Sequence, residues 1–270
     1  MEDFILSRGV RVPATVLLPE IKGDKTVPLV VFAHGHGSMR AEAGYAAIME
    51  ALRQRGIACV IIDFPGCGDS EEPFHHNALH RMKADIVAAL RHMLARYPVD
   101  GSKTGIFGYS MGGRVALEVT ADAMWRFQGM ALLAPGASTR DLMGFIGGSE
   151  EAFFALQKTA EAEGFAVFET PFGQRQELGR AWFEDLARMP ESAPALAAKQ
   201  FAGKAIVFYG EDDPVVSAAV AKRTAAALNA EAVDVSGDLH SYGFYSDRTD
   251  ILNTIAARTA DFFAEVFAIS

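Results

Sequence analysis

Two cysteines are too few for a disulfide framework, and their spacing matches no zinc-binding pattern. Cys59 sits in the apolar run "IACVIIDF" and reads as a core thiol; Cys67 sits in a glycine-rich loop. Basic residues are outnumbered, 25 Lys and Arg against 34 Asp and Glu, for a net charge of −9, and they form no cluster. A nucleic-acid partner is therefore not expected; the acidity fits solubility. No apolar run is long enough to cross a bilayer, so no membrane partner is expected. The opening "MEDFILSRGVRVPATVLLP" carries two acids at once, lacks a basic n-region and breaks its apolar run at Ser7, Arg8 and Gly9, unlike a secretion signal. A cytoplasmic location is the expectation. No G-x-x-x-x-G-K-S/T occurs, which argues against a P-loop NTPase, and Gly66-Cys67-Gly68 lacks the third glycine of a dinucleotide-binding turn. His34 and His36 have no third ligand at useful spacing. His75, His76 and His80 form no H-E-x-x-H and read as a solvated helix face. The expectation is no metal and no cofactor.

What is present is a globular composition, half hydrophobic and 22% charged, in a chain of 270 residues, ample for one large α/β domain with an insertion. "FILSRGVRVPATVLLP" reads as an opening strand pair. Continuous apolar runs at 28–35, 58–64, 104–110, 127–135 and 204–210 read as strands buried on both faces, with a last strand at 231–237. Helical periodicity falls at 43–56 and 78–98, in "VSAAVAKRTAAALNA", and in "ILNTIAARTADFFAEVFA". Strand and helix in alternation predict a mostly parallel, doubly wound sheet.

The alternation stops between 136 and 200, where no buried strand pattern is found. Helical pieces such as "SEEAFFALQKTAEAEG" and "RAWFEDLARM" and the aromatics Phe145, Phe153, Phe154, Phe165, Phe168, Phe172, Trp182 and Phe183 predict an ordered cap inserted into a core of 1–135 and 201–270. Those aromatics either form the cap's own small core or line a pocket beneath it.

At the end of the 104–110 strand stands Gly108-Tyr109-Ser110-Met111-Gly112, followed by Gly113 and a helical pattern. A serine hydroxyl is a poor nucleophile until a base, an orienting acid and oxyanion donors serve it. A tight strand-to-helix turn exposes the hydroxyl above the sheet and leaves room only for small neighbours, which is the content of G-x-S-x-G. The Met111 N–H falls at the helix start, aimed at an oxyanion. "FAHGHGS" offers a second donor at His36, between Gly35 and Gly37, whose small size lets a substrate approach. "IVFYGEDDPVV" places Glu211, Asp212 and Asp213 just past a strand, and "VDVSGDLHSYGF" places His240 after the last strand. Asp238 is too close to His240 in sequence to orient it and reads as a loop acid.

These stretches, "HGHG", "DFPGCGDS", "GYSMGG" and "GEDDPVV…LHSYGF", resemble the α/β-hydrolases along nearly the whole chain. The resemblance implies Ser110, Asp213 and His240 as catalytic triad, Asp213 rather than Asp212 because Gly210, Asp213 and Val216 match the family's G-x-x-D-x-x-V. It implies oxyanion donors at Met111 and His36, with His34 bracing that loop. The inserted segment and its flanks are similar to bacterial cinnamoyl or feruloyl esterases and to serine aminopeptidases. Those esterases usually carry Gln and an aromatic where Met111 and His36 stand. The implied activity is a serine carboxylesterase acting on a small-molecule ester, with Gly35, Gly37, Tyr109 and Trp182 expected at the substrate. Amide or thioester cleavage on the same triad stays open, as does a ligand-sensing module without turnover; serine at the elbow disfavours a dehalogenase. The oligomeric state is open, a homodimer included.

Overall fold

The computed structural model describes residues 1–122, 124–170, 173–188 and 193–269. Phe172 and parts of the expected cap lie outside the described residues.

Strands β1 (Glu2–Ser7) and β2 (Val10–Leu17) form the opening antiparallel hairpin. There follow β3 (Val27–Ala33), α1 (Ala43–Gln54), β4 (Ala58–Ile62), α2 (Leu79–Arg96), β5 (Val99–Tyr109), α3 (Met111–Thr120) and β6 (Gly129–Leu133). The 136–200 segment holds α4 (Thr139–Gly147), α5 (Glu150–Glu163), β7 (Phe165–Glu169), β8 (Arg175–Gly179), α6 (Arg180–Arg188) and α7 (Ala193–Gln200). The chain ends with β9 (Lys204–Tyr209), α8 (Ala218–Ala227), β10 (Glu231–Asp234) and α9 (Thr249–Val266).

Eight strands form one sheet in the order β1-β2-β4-β3-β5-β6-β9-β10. β2 meets β4 antiparallel, and every pair from β4 to β10 is parallel. β4 and β6 are buried at every position, as strands covered on both faces must be. The two coverings can be read from β5. A side chain at Gly105 would strike Phe263 of α9, whereas one at Gly108 would strike the backbone of α3, so these helices lie on opposite faces. α1 packs with α9, and α2 with α3. β10 is the exposed exception, an edge strand, and it stops at Asp234 rather than continuing to residue 237.

The 136–200 segment is not purely helical. β7 and β8 form a separate antiparallel hairpin. Its burial alternates, with Ala166, Phe168, Gln176 and Leu178 inside. A buried glutamine and an exposed Val167 hide that alternation in a hydropathy pattern. Among the described residues no helix is long and apolar enough to cross a membrane.

Candidate active site

β5 lies in the middle of the sheet, flanked by β3 and β6, and its end feeds α3 through Ser110. Ser110 has φ 54° and ψ −117°, outside the relaxed regions for a side-chain-bearing residue. The turn tolerates no bulk: a Cβ on Gly112 would collide with the Ala33 carbonyl, and one on Gly108 with the Gly112 backbone. Three further non-glycine residues with positive φ flank the same site, namely Ala134 (42°), Leu239 (51°) and Tyr242 (51°). Strain gathers where three loops converge on the serine.

The Ser110 hydroxyl lies 3.0 Å from His240 Nε2, and His240 Nδ1 lies 2.7 Å from Asp213 Oδ2. Nδ1–H donated to the carboxylate leaves Nε2 free to accept the serine proton. Asp213 is fixed on its other side as well. Its Oδ1 accepts from the N–H groups of Val215 (2.8 Å) and Val216 (3.0 Å), and its Oδ2 accepts from the Tyr242 hydroxyl (2.6 Å). Burial, with the Asp213 charge alongside, raises the Tyr242 phenol well above its usual range, so it stays a donor. Asp212 acts elsewhere: its carboxylate accepts from Gly237 and Leu239 N–H and shapes the loop that carries His240. Asp238 accepts from Gly243 N–H and the Ser246 hydroxyl, within the same loop.

The Met111 N–H opens α3, and His36 sits in the loop after β3; among the described residues neither N–H is donated to another group. His34 is buried and braces that loop. Its Nδ1 donates to the Gly35 carbonyl (2.8 Å) and its Nε2 accepts from Phe64 N–H (3.0 Å). Burial lowers its pKa to about 4, so the ring is neutral, as the bond from Phe64 requires.

A cavity of about 540 Å³ opens over Ser110 and His240. Gly35, His36, Gly37, Tyr109 and Met111 line it. Tyr109 also supports the loop that carries His240, since its hydroxyl donates to the His240 carbonyl and its ring packs on Phe244 with centroids 4.9 Å apart. Trp182 is a correction. It is fully buried within the 136–200 segment against Phe153 and Phe183 and does not line the cavity. On α6 its ring points into that segment's own core, where the neighbouring aromatics shelter a side chain so large from water. Of the aromatics from the segment, Phe145 does line the cavity. The histidines read as a solvated face are partly exposed and are also paired: His75 with Glu177, His76 with Glu72, His80 with Asp185. Two of these pairs, those of His75 and His80, tie the core to the 136–200 segment. Among the described residues no group of three or more His, Cys, Asp or Glu is arranged to hold a metal ion. Cys67 is buried, and its thiol is pushed up to about 12 by desolvation, which keeps it unreactive.

Sequence reasoning does not single out Tyr242, although it stands within "LHSYGF", nor Glu42, Gln174, Gln176 and Tyr245. No local pattern marks the last four; only the fold brings them to one place.

The alpha/beta hydrolase family model matches residues 30–251. Over 115 residues the chain is 30% identical to the dihydrolipoyllysine-residue acetyltransferase component of the acetoin cleaving system of Pseudomonas putida; the match takes in 43% of this chain and 28% of that relative, so the chain spans little more than a quarter of its length. The structure is similar to Est1E from Butyrivibrio proteoclasticus, solved with ferulic acid bound, at a TM-score of 0.76 and 18% identity, covering 98% of this chain and 99% of that one. It is also similar to a puromycin-hydrolyzing peptidase of Mycobacterium tuberculosis, at a TM-score of 0.71 and 16% identity, covering 100% of this chain and 39% of the other. The match of the family model over most of its length places this chain in the alpha/beta hydrolase family.

Proposed function

We propose that the protein is a serine hydrolase that cleaves carboxylic esters through an acyl-enzyme. The observation that carries this reading is the hydrogen-bonded chain Ser110–His240–Asp213 at the floor of the cavity, in a member of this family. His240 Nε2 takes the Ser110 proton as Oγ attacks the ester carbonyl carbon. The carbonyl oxygen becomes an oxyanion held by the N–H groups of Met111 and His36. Asp213 stabilises the imidazolium without taking its proton. Collapse of the intermediate breaks the bond to the alcohol, and the imidazolium protonates the departing oxygen. Water then enters, gives its proton to His240 and attacks the acyl carbon. Collapse frees the acid, and the proton returns to Ser110.

The 136–200 segment acts as a cap in this reading. It contributes Asp141, Leu142, Phe145 and Gln174 to the cavity wall, and so selects the substrate. The apolar side chains Leu142, Phe145, Val215 and Val216 favour an acyl or aryl group over a hydrated sugar or peptide. Likeness to the ferulic-acid-bound Est1E makes a cinnamoyl ester the first aromatic substrate to try.

The test is turnover of p-nitrophenyl acetate, butyrate and octanoate, methyl ferulate and an aminoacyl amide by wild type and Ser110→Ala. Esters are expected to turn over, with a loss of roughly 10⁴-fold or more in the variant. An amide preferred over every ester would shift the reading to a peptidase, and full activity in Ser110→Ala would refute the mechanism.

A further inference from the structure

The loop that carries the second oxyanion donor is not held by its own backbone alone. His36 stands between Gly35 and Gly37, and Gly37 has φ +65°, so the peptide units here have few steric limits of their own. His34 and the Tyr45 hydroxyl hold Gly35, and a side chain from far along the sequence adds a restraint at His36. His36 Nε2 lies 2.6 Å from Oε1 of Gln176 on β8, 140 residues away. Gln176 is 8% exposed, so this bond is sheltered from water. Its amide also covers Gly37, where any Cβ would collide with Gln176 Nε2. The same Nε2 donates to Oε1 of Gln174 at 3.3 Å, and Gln174 lines the cavity.

The His36 ring leaves little choice in this arrangement. Phe74 stands edge-on at 5.4 Å between centroids, with Phe145 and Phe168 at 6.0 Å. Desolvation lowers the ring's pKa to about 4, so at assay pH it is neutral and carries one N–H. Gln176 Oε1 accepts that N–H. Nδ1 is buried without a partner, so no second hydrogen bond fixes the ring. Among the described residues, Gln176 is the polar group that holds the His36 side chain.

We propose that Gln176 is a positioning residue for the oxyanion hole: by fixing the His36 ring and covering Gly37, it holds the loop so that the His36 N–H faces the developing oxyanion. The inference rests on the serine-hydrolase reading above. Its physical basis is that an oxyanion donor contributes only when pre-aimed, and a misplacement of about 1 Å can cost on the order of 10²-fold in rate. A polar residue at a buried position of β8 then has a reason to be there. It also joins the oxyanion loop to the segment that lines the cavity, through Gln174.

The test compares the full-length wild type with Gln176→Met, His36→Phe and the double variant on a neutral p-nitrophenyl ester. Methionine fills similar space without accepting a hydrogen bond; phenylalanine keeps the backbone N–H and loses the ring N–H. Gln176→Met is expected to lower kcat roughly 10- to 100-fold with KM changed less than about threefold, and to weaken inhibition by a phenylboronic acid, which forms a tetrahedral adduct, by a similar factor. The double variant is expected to be no slower than the slower single one, because both act on one contact. Thermal melts verify folding; if Gln176→Met melts below the assay temperature, Gln176→Asn, one methylene too short to reach, replaces it. Unchanged kcat, a loss confined to KM, or multiplying losses in the double variant would overturn the positioning role. Ser110→Ala runs beside them. If it is inactive while Gln176→Met is not impaired, the positioning role alone fails; if it keeps turnover, both readings fail.

Discussion

Asp213 accepts four hydrogen bonds, from Val215 N–H, Val216 N–H, the Tyr242 hydroxyl and His240 Nδ1, which uses the whole capacity of a carboxylate. Such a group has one orientation, and it transmits that orientation to the imidazole. Asp213→Asn turns one acceptor into a donor and permits the wrong His240 tautomer; kcat/KM is expected to fall roughly 10³- to 10⁴-fold, measured by steady-state kinetics. Tyr242→Phe removes one donor from a buried charge. It is expected to cost about 1.5–3 kcal/mol in urea unfolding, with a smaller loss of kcat than Asp213→Asn. His34 gives a pH prediction. Its folded pKa of about 4 lies below the ordinary 6.5, so between those values the unfolded chain binds a proton that the folded chain refuses. Its contribution to stability is complete above pH 6.5 and is lost as pH falls, at about 1.4 kcal/mol per pH unit from this ring. The urea midpoint is expected to drop between about pH 7 and pH 5, while NMR shows the His34 ring still neutral at the lower value. A His34 ring that titrates near its ordinary value of 6.5 would contradict this.

At the scale of elements, the turn from β5 to α3 that carries Ser110 is a close-packed joint. Gly112→Ala places a methyl against the Ala33 carbonyl of a central strand. Strand β3 is hydrogen-bonded on both sides and cannot move aside. The substitution is expected to cost about 3 kcal/mol or more, read as a lower Tm and a soluble yield that falls with temperature. The same joint is plain in the sequence, since a serine between glycines at a strand end has few structural alternatives. The parallel strands are plain too, because burial on both faces leaves continuous apolar runs such as Ala58–Ile62. The β7–β8 hairpin is not. Its inward positions include Gln176, whose partner His36 lies 140 residues away, and no window on the sequence can see that pairing. Trp182 misleads for the complementary reason: a large aromatic in an inserted segment suits that segment's own core as well as a pocket, and only packing decides.

Over the whole molecule, charge bears on substrate choice. Glu42, Asp141 and Asp238 line the cavity and, among the described residues, no Lys or Arg does, in a chain of net charge −9. Glu42 is partly buried beside Ser38 and Tyr245, and desolvation raises its pKa. An ester bearing a free carboxylate would meet repulsion without a counter-ion. The p-nitrophenyl monoester of succinic acid is expected to show kcat/KM roughly tenfold or more below that of the butyrate, a gap that narrows as added salt screens it. Equal values at low salt would contradict this.

The most direct test of the mechanism asks whether Ser110 carries the acyl group. Rapid mixing with excess p-nitrophenyl acetate should release a burst of about one nitrophenolate per chain before steady turnover, as an acyl-enzyme requires. Peptide mass mapping after treatment with diethyl p-nitrophenyl phosphate should place the phosphoryl group on Ser110. A burst that persists in Ser110→Ala, or a label on another residue, would contradict the central claim.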